Sequence, residues 1–166
     1  MTDTNHNDVD VSALEVSDAE VQSYLDGTSE LRDILGMNAE LVAQLKGRAQ
    51  FFLDGGHDER ALIMLEMLEE LDRTDRVPTL LAIETLLKLG LSDRAEEKVT
   101  KLLERAPEDP DALVAKAQLE LSTGRWHEAA RTIKRVVDGD PNAEHEATKR
   151  ALVLAHAAYE RFESSR

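Results

Sequence analysis

The sequence predicts an all-α protein: a right-handed α-α superhelix of three helix-turn-helix repeats, with a helical extension before them and a capping helix after them. Three observations carry this expectation. Gly56, Gly90 and Gly124 lie 34 residues apart, and Ala61, Ala95 and Ala129 each follow five residues later. Pro107 and Pro141 repeat the same interval of 34. Between these markers the apolar residues recur at helical spacing, as in Leu62, Leu65, Leu68 and Leu71. A fixed period of this size marks stacked units, none of which can bury its apolar face alone. The units fall at 42–75, 76–109 and 110–143 with no insertion between them.

Taken in order, residues 1–16 show little periodicity and are expected to form a flexible acidic arm. Residues 17–41 form an N-terminal helical extension. Ser17-Asp18-Ala19-Glu20 is a capping-box pattern that opens a helix to about Asp26, and Gly27 breaks it. A short helix follows near Ser29–Leu35, then Gly36, and Asn38 caps the first helix of unit one. Val21, Tyr24, Leu25, Leu31 and Leu35 are expected to pack on that unit. Within each unit the glycine ends helix A, where the chain must turn through the left-handed region without a Cβ. The alanine early in helix B lets the two helices approach closely. Pro107 and Pro141 end helix B or start the next helix. Asp109-Pro110 and Asp140-Pro141 both read as N-cap followed by N1. Residues 144–166 contain a lone helix and tail; Lys149, Arg150, Glu160 and Arg161 suit the outward face of a cap.

Composition narrows the function. The 166 residues carry 34 acids, 20 bases and no cysteine, a net charge of −14. Such a charge repels phosphates, so no nucleic-acid partner is expected. No apolar run has the length of a membrane span, and no basic-then-apolar stretch opens the chain, so neither membrane insertion nor a secretory signal is expected. The charge is uneven: residues 1–41 hold ten acids and one base, while 42–166 are only at −5. The absence of cysteine excludes disulfides and Cys-based zinc sites and fits a cytoplasmic location. His6, His57, His127, His145 and His156 are too scattered to share a metal, and the adjacent carboxylates Glu69-Glu70 and Glu96-Glu97 diverge on a helix. No phosphate loop or nucleophile–base arrangement is present. Neither an enzyme nor a cofactor is expected.

The interval and residue types resemble the tetratricopeptide repeat. Unit three is nearest, with Ala117, Gly124, Trp126, Ala129, Ile133 and Pro141. Unit one offers Leu45, Ala49, Phe52, Gly56, Ala61, Leu65 and Leu68; unit two keeps Gly90, Ala95, Leu102 and Pro107 but has Thr79 and Ile83 where Trp or Leu and a small residue are usual. More narrowly, the extension, three repeats and cap resemble the class II chaperones of bacterial type III secretion, which bind translocator proteins before export. Tyr24-Leu25-Asp26-Gly27-Thr28 followed by Leu31, Leu35, Gly36 and Met37 carries that likeness. Family members are usually richer in Tyr and Phe within helix A, where this chain has Lys46, Glu84 and Gln118. The resemblance implies a bacterial cytoplasmic protein whose partner is a translocator-like client. The alternative is a general scaffold or adaptor joining other proteins.

Helix A residues line the concave side of a stacked repeat, and steps of three and four stay on one stripe. Unit one then offers Lys46, Gln50 and Leu53 beside Ala43. Unit two offers Val77, Leu80, Glu84 and Leu87, and unit three Val114, Gln118 and Leu121 beside Asp111. His145, Thr148 and Leu152 extend the face onto the cap. Aliphatic side chains there could take the side chains of an extended peptide, and Gln50 and Gln118 could hydrogen-bond its backbone. Residues 17–37 could exchange between protomers to make a homodimer.

Overall fold

The first helix of each repeat runs into a glycine turn, and those of the first and third repeats open on side-chain caps. The computed structural model describes residues 16–163; apart from Val16, the arm expected over 1–16 lies outside them. In order the helices are α1 (Asp18–Leu25), α2 (Leu31–Ile34), α3 (Ala39–Asp54), α4 (Asp58–Leu71), α5 (Val77–Lys88), α6 (Ser92–Arg105), α7 (Pro110–Ser122), α8 (Trp126–Gly139) and α9 (Glu146–Glu163). Among the described residues there is no strand. The helices form an all-α superhelix: α3/α4, α5/α6 and α7/α8 are antiparallel pairs, and α9 packs on both α7 and α8.

The three turns inside the pairs are made alike. Gly56, Gly90 and Gly124 sit at φ of 69°, 73° and 76°. At the first, the Gly56 N–H donates to the Leu53 carbonyl (3.1 Å) and the His57 N–H to the Phe52 carbonyl (2.8 Å). Residues 90/91 and 124/125 repeat this pair of bonds, the Schellman closure that satisfies the orphan carbonyls of a helix end. Five residues later Ala61, Ala95 and Ala129 are all wholly buried, as close approach of the paired helices requires.

Side-chain caps open α1, α3 and α7. Ser17 and Glu20 form the reciprocal capping box of α1, Asn38 accepts from the Leu41 N–H, and Asp109 accepts from the Ala112 N–H ahead of Pro110. Asp140-Pro141 does not start a helix as expected. Asp140 ends α8, and its carboxylate accepts from the backbone N–H groups of Glu144 (3.2 Å) and His145 (2.9 Å). Those two bonds hold a turn with Ala143 at φ 52°, which delays α9 to Glu146.

The core runs without a break. Its larger part spans α3 to α7 around Leu65, Leu68, Ile83, Leu86 and Leu119. A second cluster around Leu113, Val114, Ile133, Val136 and Ala151 joins α7, α8 and α9, with Leu103 packed against both. The extension docks through its second half: Leu31, Leu35 and Met37 pack on the core. Val21 and Leu25, expected to do the same, are 45% and 68% exposed, and α1 buries no residue. Tyr24 attaches α1 instead, with its hydroxyl donating to Glu70 (2.8 Å) and its ring 3.9 Å beneath the Arg73 guanidinium.

Between repeats one and two a ladder of charges supplements the apolar contact. Glu66 and Glu69 on α4 face Arg94 and Lys98 on α6, at 2.7 Å for Arg94–Glu66, 3.6 Å for Lys98–Glu66 and 2.5 Å for Lys98–Glu69.

Candidate functional site

The inner layer of the superhelix is not uniformly closed. α5 packs directly on α7, and α7 on α9, whereas α3 and α5 meet chiefly through α4 beneath them. The gap is a slot of about 300 Å³. Lys46, Gly47 and Gln50 form the α3 wall, Val77, Pro78 and Leu81 the α5 wall, and Leu65 and Leu68 of α4 the floor. Local sequence explains its shape. Gly47 has no side chain to fill the space, and a Cβ built there would touch nothing within 4 Å. Pro78 sits in the first turn of α5, where a missing N–H costs no helical hydrogen bond.

The rim is polar and already partly engaged. Lys46 Nζ lies 2.6 Å from Asp75, a carboxylate in the link between the first two repeats. Gln50 donates its amide to Asp54 at 2.7 Å, which leaves its carbonyl as the group to accept a partner's N–H. The floor is aliphatic, so the slot offers burial to an apolar side chain and hydrogen bonds to the backbone that carries it.

Of the expected concave residues, the structure brings Lys46, Gln50 and Val77 together in this slot. Leu53 and Leu87 are half-buried against the core. Leu80 turns away from the slot and lines a separate hollow with Arg73, Leu102 and Arg105. Val114 is wholly buried in the cluster under α9, so it is a packing residue that no ligand can touch; Thr148 is likewise buried. Glu84, Gln118 and Leu121 are half-buried farther along the inner layer and outside the slot. Pro78 and Leu81 went unrecognised as lining residues, as did Gly47, Leu65 and Leu68. Leu81 had a usable signal: it lies one turn after Val77, on the same stripe. The rotation of α5 that selects 77, 78 and 81 over 77 and 80 is set by packing, which spacing does not encode.

Two carboxylates around the repeat links are held below the usual range. Thr74 does this to Asp72 through its hydroxyl, helped by the backbone N–H groups of Thr74 and Asp75 and by Arg32. The His145 N–H does it to Asp140. Both serve structure. Among the described residues no group of three or more His, Asp or Glu side chains is arranged to hold a metal ion.

Comparison with known proteins agrees with this architecture. Residues 86–152 match the tetratricopeptide repeat family. No curated protein matches the sequence. Among solved structures, a chain in the crystal structure of a T3SS complex from Aeromonas hydrophila has the same fold. The two superpose with a TM-score of 0.68 at 15% identity, over 87% of this chain and 98% of that one. The fold is therefore a tetratricopeptide-type superhelix, and among the described residues no helix is long and apolar enough to cross a membrane.

Proposed function

We propose that this protein is a chaperone of bacterial type III secretion that binds an apolar segment of a translocator protein along the inner face of its superhelix. The slot between α3 and α5 carries the reading: it has an aliphatic floor, a polar rim and no occupant from within the described residues. Two further facts support it. The Tyr24–Met37 block that carries the narrower resemblance docks on the first repeat through α2. The superhelix also shares its fold with a chain of a T3SS complex. The lining set we assign is Lys46, Gln50 and Val77 with Pro78 and Leu81, continued by Leu53, Glu84, Leu87, Gln118 and Leu121.

Such a protein works by equilibrium masking. A Leu or Val of the client moved from water to the Leu65/Leu68 floor gains about 1.5–3 kcal/mol. The complex keeps that surface from other hydrophobic chains for as long as it persists, with mass action as the only drive. The reading places the protein in the bacterial cytoplasm and gives it no catalytic step.

The test is co-expression with a candidate translocator followed by affinity isolation. Val77 is 55% exposed, so Val77→Glu should leave the helical signal and melting temperature unchanged while abolishing the complex. An intact complex with Val77→Glu combined with Gln50→Glu would refute the groove reading.

A second proposal concerns self-association. Val21 and Leu25 stand in solvent on α1, and a second copy of the extension would cover them. Sedimentation should report a dimer that Val21→Glu with Leu25→Glu converts to monomer; a monomeric parent chain rejects this.

A further inference from the structure

We propose that the cleft between the C-terminal ends of α4 and α6 is a docking surface for this chain's own acidic segment, residues 3–15. The cleft follows from where the charge ladder stops. On α6, Arg94, Lys98, Lys101 and Arg105 share one stripe at steps of four, three and four. The first two are matched by Glu66 and Glu69. The α4 row then ends, because Glu70 accepts from Tyr24 and pairs with Arg73, and Arg73 itself is the next residue facing the cleft. Lys101 and Arg105 find no carboxylate among the described residues.

These two cations rim a hollow of about 300 Å³, which continues over Leu80, Leu102 and Ala106 into a second of about 180 Å³. Every charged group facing the two hollows is accounted for. Arg73, Arg76, Lys98, Lys101 and Arg105 stand against Glu69, Glu70 and Asp109, an excess of two cations over an aliphatic floor. Arg76 is taken by Asp109 and Asp111. Glu69 spends one carboxylate oxygen on Lys98, and its other oxygen is buried out of the hollow.

The occupant that fits is an acidic peptide with interleaved aliphatic side chains, and the chain supplies one. Residues 1–15 contain Asp3, Asp8, Asp10 and Glu15 and no Lys or Arg. Asp8-Val9-Asp10-Val11 alternates, so an extended backbone presents carboxylates on one side and valines on the other. The segment leads directly into α1, whose Tyr24 is clamped by Arg73 on the cleft wall. From Tyr24 back to Ser17 is about 10 Å of helix, and the preceding residues reach roughly 50 Å when extended, so the cleft is well within the tether. Tethering also decides between occupants. A net charge of −14 repels a free acidic peptide, whereas a tethered one acts at millimolar effective concentration.

The absence of cysteine makes the test clean. Ser12→Cys in the full chain is labelled with a nitroxide, and amide signals are followed by NMR. The expected result is loss of signal intensity at residues around Lys101, Arg105 and Thr79. That loss should disappear in about 1 M salt, where the Debye length is about 3 Å. It should also disappear with Lys101→Glu and Arg105→Glu, both exposed and so without effect on melting. Loss seen only when labelled chain is mixed with unlabelled isotope-enriched chain assigns the cleft to a second copy and overturns the proposal. Unchanged signals around the cleft, or loss confined to the α3/α5 slot, overturn it as well.

Discussion

Asp72 concentrates more structural duty than any other polar side chain here. It is 7% exposed and accepts from the Thr74 hydroxyl (2.6 Å), the backbone N–H groups of Thr74 and Asp75, and Arg32 (2.5 Å). It thereby fixes both the link between the first two repeats and the seat of α2. Removing it in Asp72→Ala should lower stability by about 1–3 kcal/mol, measured by urea denaturation, because four part-buried hydrogen bonds lose their common acceptor. Its carboxyl is held below the usual range by Thr74 first, so its contribution is present above the unfolded value near 4 and lost as pH falls through the lower folded value. The gap between wild type and Asp72→Ala should therefore be full at pH 7 and should close in strongly acid solution. Ala143 presents the opposite case: it is the one non-glycine residue at positive φ among the described residues, at 52°. The left-handed conformation costs an alanine about 1–2 kcal/mol, so Ala143→Gly should raise the melting temperature. The sequence pointed to a cap at Asp140 but placed it on the wrong element, because side-chain reach to Glu144 and His145 is a matter of loop geometry.

At the scale of the helix, legibility was high wherever one residue type has one physical use. The glycines with φ near 70° end every A helix, and the alanines behind them vanish into the core. It was lower wherever the answer depended on rotation about the helix axis. Leu80 and Leu81 are equally apolar, and only packing against α4 and α6 decides that Leu81 faces the slot and Leu80 the basic hollow. Val114 was misjudged for the same reason: α9 covers the stripe that lies open on α3. Two glycines give a paired prediction. Gly90→Ala forces a Cβ into the left-handed region and should cost about 1–2 kcal/mol. Gly47→Ala, in the interior of α3 with open space around it, should stabilise by roughly 0.5–1 kcal/mol. Because its methyl group narrows the slot, the same substitution should weaken client binding. A stabilised variant with unchanged client affinity would place the client elsewhere on the superhelix.

For the whole molecule, the continuous core makes stability a matter of neighbours. α7 packs on α5, α6, α8 and α9 and buries seven of its 13 residues, whereas α1 buries none. Amide hydrogen exchange should accordingly be slowest in α7 and fastest in α1. Leu119→Ala, at 2% exposure in α7, should cost about 2–5 kcal/mol and loosen both flanking repeats. The repeat architecture was readable from a period and a few small residues, since a stack needs the same turn each time. The slot was readable only in part, since it arises from one pair of inner helices that fails to close.

The charge ladder between α4 and α6 bears on how such an array can be lengthened. If unit one were duplicated in tandem, the positions now held by Arg94, Lys98, Lys101 and Arg105 would be taken by Arg60, Met64, Met67 and Leu71, counting back 34 residues. Glu66 would keep a cation, but Glu69, only 14% exposed, would face a thioether. The first repeat is thus keyed to the second. The modules are alike in shape and no longer exchangeable in order, so engineering a longer inner face from this chain requires inserting a matched pair of outer helices rather than copying a single unit.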